Sequence, residues 1–214
     1  GERAGVRGSS KFEARYSEST LDSDWSFTFI FGLRMGTVFP LIADNALQPA
    51  DAKYYLECQV CRDRNVPVYP CQGRVCQQDG SAELRCEVYV ACEHCLKQGR
   101  IIHIGERRTD PVIEKFAKDP VAEKARLRAT PRIPLQMQGT DWPLCCGRLT
   151  EFIGSPLNLE ELILVQADGV FWDRRPDSSL IYDARIDGPP ESFDEVSVFH
   201  CLICGKKYWI FQPT

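Results

Sequence analysis

Apolar positions in this chain come in short bursts whose spacing changes from one burst to the next. Val196-Ser-Val-Phe199 and Tyr208-Trp-Ile-Phe211 are rich in β-branched and aromatic residues and flank the tight Cys201-Leu-Ile-Cys204-Gly205, so they predict two antiparallel strands joined by a knuckle. Arg85–Val90 alternates as a half-buried strand does, Val66–Tyr69 and Lys53–Leu56 are shorter strand candidates, and Ile101-Ile-His-Ile104 is an apolar run. The period then lengthens. Asp110 can cap a helix with Pro111 at its first position and Val112, Ile113 and Phe116 on one face, and Asp119-Pro120 repeats that signal for a helix to about Ala129. Asn158 with Glu161 three residues on predicts a third helix, from Leu159 to about Gln166, stopping at Asp168-Gly169.

Between these elements the text is punctuated as loop: Pro40, Asn45 and Pro49 early, Pro131, Pro134 and Gly139 before Trp142, and an acidic loop from Asp173 to Asp194 with three prolines. The opening, with Gly1, Gly5, Gly8 and Ser9-Ser10, reads as disordered, whereas Trp25–Phe31 alternates. Residues 1–37 are therefore an N-terminal extension, either a real strand or sequence upstream of a natural start at Met35. Residues 38–214 form the domain, with a knuckle module at 54–104, a helical linker at 110–130 and a C-terminal module at 140–214. The expected class is α+β: small zinc-knuckle β-hairpins packed with a few short helices.

With 214 residues the chain can bury a core unaided, so its eleven cysteines need a separate reason. An odd count cannot be a complete disulfide framework, and no apolar leader follows a basic start, which points to a reducing cytoplasm. No run reaches the roughly 18 apolar residues of a membrane span. Six cysteines fall in three Cys-x-x-Cys pairs, each of which sets two thiolates at the reach of one tetrahedral zinc. Cys58 and Cys61 with Cys92 and Cys95 complete one site. Cys201 and Cys204 then need Cys145 and Cys146. Vicinal cysteines on a strand point opposite ways, so Cys146, beside Gly147, is the firmer of those two, and His200 is a replacement with the same handicap. Cys86, in an alternating strand, reads as a small buried hydrophobe. Cys71 and Cys76 lie in a polar, Gly-containing insert, as an extra metal site or as free thiols. His94 and His103 read as surface residues.

Closed four-cysteine sites leave no position for a catalytic water, and the zinc deaminase, zincin, phosphate-loop and nucleophile-elbow signatures are all absent. A thioredoxin-like role is disfavoured because no Cys-x-x-Cys is followed by a convincing helix. The net charge of −4 hides an asymmetry. Leu96–Arg132 carries ten Lys and Arg against five acids, and Glu151–Glu195 eleven acids against three Arg. These are two solvated faces that attract each other, or an acidic surface kept for a basic partner.

The order of motifs resembles the CbrC family of small bacterial proteins. It is carried by Cys58, Cys61, Cys92, Cys95, Trp142, Cys146-Gly147, Phe152-Ile-Gly154, Phe199 and Cys201-Leu-Ile-Cys204-Gly-Lys206, and covers roughly Val38 to Gln212. The family usually has His-Cys-Gly where this chain has Cys145-Cys146-Gly147, an exchange that keeps a zinc ligand and so supports Cys145. Cys71, Cys76 and Cys86 are additions. The name-giving member is associated with colicin tolerance, and the resemblance implies no catalytic residue. The first expectation is thus a cytoplasmic, non-enzymatic protein with two zinc ions, binding a macromolecule such as a bacterial toxin. A zinc-ribbon nucleic-acid binder using residues 96–132 is the alternative, and a thiol redox protein or metalloenzyme comes last.

Overall fold

A computed structural model describes residues 39–76, 82–102, 109–133, 141–172 and 182–213. The alternating Trp25–Phe31, His103 and residues 173–181 of the acidic loop lie outside them. Within them the fold is α+β, with small antiparallel hairpins and short helices.

The first sheet is built on a long hairpin, β1 (Val68–Cys76) with β2 (Ala82–Cys92), and β3 (Ile101–Ile102) pairs with the other edge of β1. Val88 and Val90 face inward while Glu87 and Tyr89 face solvent, the period of two that the alternation requires. Pro70 pairs with Val90 but Gly73 with Val88, so β1 carries one extra residue there. At that bulge Gln72 exchanges both backbone hydrogen bonds with Arg132, each at 3.1 Å. The segment holding Cys71 and Cys76 is therefore strand and not a polar insert. Lys53–Leu56, expected as strand, is a turn: the Asp51 carbonyl accepts from the amides of Tyr54 and Tyr55, and its carboxylate from Lys53.

Helix α1 (Glu93–Lys97) follows β2 directly. Helices α2 (Asp110–Phe116) and α3 (Pro120–Ala129) are as expected, except that Thr109 and not Asp110 stands at the first cap position. The Asp119 carboxylate accepts from the Ala122 amide and caps α3. Next comes the two-residue hairpin of β4 (Leu144–Cys145) and β5 (Arg148–Leu149). The last sheet has the order β6 (Glu151–Gly154), β8 (Val196–His200), β9 (Lys207–Phe211), β7 (Val170–Phe171), with only β7 parallel to its neighbour. Helix α4 (Leu159–Asp168) is capped reciprocally: Asn158 Oδ1 accepts from the Glu161 amide and Glu161 from the Leu157 amide. A one-turn α5 (Ala184–Asp187) packs beside it.

This sheet divides the core by strand alternation. Phe152, Phe199, Tyr208 and Ile210 join a cluster that also takes in Cys58, Val88, Ile113, Leu127 and Trp142, so the knuckle segment, the helices and the C-terminal strands share one apolar interior. Val196, Val198 and Trp209 point the other way, against Leu162 and Val165 of α4. Trp142, 1% exposed, stands edge-on to Phe199 with ring centroids 5.3 Å apart. Its indole N–H donates to the Thr150 carbonyl at 2.6 Å, and Thr150 in turn bonds the Pro143 carbonyl, which clamps the two ends of the β4–β5 hairpin.

Candidate metal centres

Two loops of the chain repeat one hydrogen-bond frame. In the first, the Cys58 amide donates to the Asp63 carbonyl at 2.9 Å and the Arg62 amide returns to the Cys58 carbonyl at 2.8 Å. In the second, Cys201 donates to Lys206 at 2.9 Å and Gly205 to Cys201 at 2.8 Å. The fourth residue after the leading cysteine has positive φ in both, Arg62 at 64° and Gly205 at 73°. Glycine does this at little cost, and its place in the second loop was the visible signal; arginine does not advertise it.

Each loop meets a second pair of cysteines. Gln59 carries the first loop onto β2, its carboxamide oxygen accepting from the Tyr89 amide at 2.6 Å and its own amide donating to the Val90 carbonyl. Cys92, the cap residue of α1, then lies against Cys58, whose sulfur accepts the Cys92 amide at 3.2 Å. The Sγ atoms of Cys58, Cys61, Cys92 and Cys95 all fall within 4.8 Å of one another. Cys92-x-x-Cys95 itself opens a helix, with Cys92 at the cap and Cys95 inside α1, contrary to the expectation used against a redox motif, but the helix has five residues and the two cysteines face two further sulfurs and not each other alone.

Cys145, Cys146, Cys201 and Cys204 form the second group, again within 4.8 Å. Cys146 and Gly147, with φ of 52° and 77°, are the two central residues of the β4–β5 turn. That left-handed pair removes the handicap of vicinal cysteines: Cys146 is off the pleat, so its sulfur need not oppose that of Cys145. Both therefore join the group. His200 does not; it sits on the other face of β8, with Nε2 3.5 Å from Glu151.

Sulfur spacing tests the fit to a metal. Four thiolates about 2.3 Å from a tetrahedral zinc stand about 3.8 Å apart along each edge. The separations are 3.8 Å for Cys61 to Cys92, 3.9 Å for Cys145 to Cys146 and 3.6 Å for Cys145 to Cys204. Each group therefore has the donors and the spacing for one metal ion.

Electrostatics agree. Burial pushes the Cys58 thiol up, but amides of Cys61, Cys92 and Val60 outweigh it and bring it down to about 7. The Lys206 amide, with the neighbouring thiols, brings Cys204 to about 7. Once those sulfurs are charged their neighbours resist: bonds to Cys204 and Cys145 push Cys146 up to about 12, and burial first and then the Cys92 thiol push Cys95 up. A divalent cation reverses that resistance.

Cys71 belongs to neither group. It is fully buried on β1, and burial pushes its thiol up to about 12, the environment of a small apolar residue. Cys76 ends β1 and Cys86 lies within β2. His94 is exposed on α1.

Support for the second centre comes from a residue that composition conceals. Glu123 sits among charges in α3 yet is 3% exposed; it binds Arg126 at 2.9 Å and Arg148 at 3.4 Å and accepts the Leu149 amide. The Lys118 amide adds a bond to the Gly147 carbonyl at 2.9 Å. The α2–α3 unit thus grips the hairpin from both ends.

No described helix is long and apolar enough to cross a membrane. Comparisons of the chain with protein-family models, with curated proteins and with solved structures return no match.

Proposed function

We propose that this protein is a non-enzymatic scaffold folded around two structural zinc ions, one held by Cys58, Cys61, Cys92 and Cys95 and the other by Cys145, Cys146, Cys201 and Cys204. The observation that carries this reading is that each group brings four sulfurs within 4.8 Å of one another, with three of the separations, at 3.6–3.9 Å, matching the edge of a zinc tetrathiolate. Zinc bound this way supplies cross-links between segments distant in sequence, on the order of 10 kcal/mol per site. With all four positions taken by sulfur there is no open place for water, which is why the reading is structural.

The scaffold serves to bind a macromolecule. The surface that fits this role is acidic: Glu160 and Asp168 on α4, Asp187 on α5, and Glu191 and Asp194 beyond it are exposed, and Leu164 and Ile186 stand exposed among them. A basic protein, such as a nuclease-like toxin, suits that face, in keeping with the resemblance to the CbrC family and its link to colicin tolerance. The nucleic-acid alternative draws less support, since Lys97, Lys124, Arg126 and Arg132 of the basic segment are engaged by Glu93, Glu114, Glu123 and Gln72. Metal analysis of protein purified under reducing conditions, with unfolding followed before and after chelation, tests the zinc reading: two zinc per chain and loss of structure on chelation are expected, and metal-free folded protein overturns it.

A further inference from the structure

Where α4 ends, it leaves one corner of the last sheet uncovered. A cavity of about 310 Å³ opens there, walled by Ile153, Val165 and Val198 and reaching Gly205 of the second knuckle. Across its mouth the strand register sets a row of alternating function. Glu151 is the cross-strand partner of His200, and His200 of Lys207, so the three side chains lie on one face about 5 Å apart in turn. Asp168, the last residue of α4, closes the row by binding Lys207 at 2.5 Å. Of these groups His200, Lys207 and Asp168 line the cavity, so its rim reads imidazole, ammonium, carboxylate over an apolar floor.

None of these groups is needed for the metal centres, and neither ion pair is buried deeply enough to be a strong structural element. Lys207 and Asp168 are 32% and 56% exposed, and His200 is 29% exposed with Glu151 at a long 3.5 Å. Pairs of this kind contribute little and exchange partners readily. The volume is at the lower end of the roughly 300–1,000 Å³ typical of ligand pockets, and a mostly apolar wall with a few convergent polar groups is their usual composition. A ligand bearing a single charge would meet attraction from one member of the Lys207–Asp168 pair and repulsion from the other. One bearing both charges on a single carbon atom satisfies both members of that pair.

We propose that this cavity binds a free apolar α-amino acid, with its side chain among Ile153, Val165 and Val198, its carboxylate toward Lys207 and its ammonium toward Asp168. The site shares Asp168 with the acidic docking face, while its apolar floor and Lys207 lie outside that face. The test is methyl NMR of the zinc-loaded full chain titrated with L-leucine and L-phenylalanine. Isovalerate and isoamylamine serve as controls, since they present leucine's apolar body with one charge each. Saturable shifts at the Ile153, Val165 and Val198 methyls are expected with at least one amino acid, with both controls at least tenfold weaker. The exposed substitutions Lys207→Met and Asp168→Asn should each weaken amino-acid binding at least tenfold while leaving the other methyl resonances in place. The proposal is overturned by the absence of saturable shifts with both amino acids, by a singly charged control binding as tightly as L-leucine, or by unchanged affinity in both variants. The ligand series in the unsubstituted protein decides the matter even if a variant fails to fold.

Discussion

Glu123 Oε2 accepts the amide proton of Leu149 at 3.1 Å, a bond from the middle of α3 to the strand that leaves the Cys146-Gly147 turn. It makes a buried carboxylate the brace of the surface cysteine group that could hold a metal ion. Glu123→Ala would leave that amide without its acceptor and take the carboxylate away from Arg148 and from Arg126, which keeps only its bond to the Pro40 carbonyl. We expect a loss of about 2–4 kcal/mol, below the largest values for broken buried pairs because Arg148 is half exposed. Glu123→Gln, which keeps an acceptor oxygen, should lose less than half of that. Urea unfolding of the zinc-loaded protein measures both.

Removing ligands one centre at a time should separate the two sites. Cys58→Ser is expected to lower the zinc content from two per chain to one, leaving the Cys201 centre loaded, and Cys201→Ser to do the converse. Each should weaken its own site at least 100-fold, since three thiolates and a hydroxyl replace a closed tetrathiolate. Loss of both ions from either single variant would mean that the centres do not form independently.

The shared loop frame predicts opposite outcomes at equivalent positions. Gly205→Ala meets no atom within 4 Å but forces alanine to φ 73°, at about 1–2 kcal/mol. Arg62→Gly relieves the same strain at φ 64° and gives up only an exposed ion pair to Glu57, so it should stabilise by about 0.5–1 kcal/mol. Thermal unfolding of the two variants side by side checks the sign of each.

Metal loading should depend on pH with a definite sign. The thiols must be deprotonated to bind zinc, so protons compete and affinity falls on acidification, by about 1.4 kcal/mol per pH unit for each proton displaced. Above pH 7 Cys58 and Cys204 are already ionised in the metal-free fold and add little to this slope; below about 7 both take up protons and the slope steepens. Zinc release to a colorimetric chelator, followed from pH 8 to pH 5, should show that steepening, and a slope constant across the range would remove these two thiols as the first to ionise.

How far the chain could be read follows from the range of the interactions involved. Local chemistry was legible: the Asn158 and Asp119 caps, the alternation around Val88 and Val90, and the Val196–Phe211 hairpin depend on neighbours within a few residues, and all are present. So was the cysteine spacing, because one turn of chain sets the distance between two sulfurs. Tertiary structure decided the rest. Lys53–Leu56 became a turn because Asp51 captures its amides, and the Cys71 segment became strand because β2 and Arg132 offered partners. The vicinal cysteines work together because Cys146 is held at φ 52° by a hairpin whose ends are clamped by Thr150 and Glu123. No composition rule marks Glu123 as buried, since the donors to its carboxylate come from residues up to 26 positions away. The sequence determined which atoms are available to bind metal, a matter of residue type and short spacing. Which four share a centre, and what braces them, was decided by contacts between distant segments.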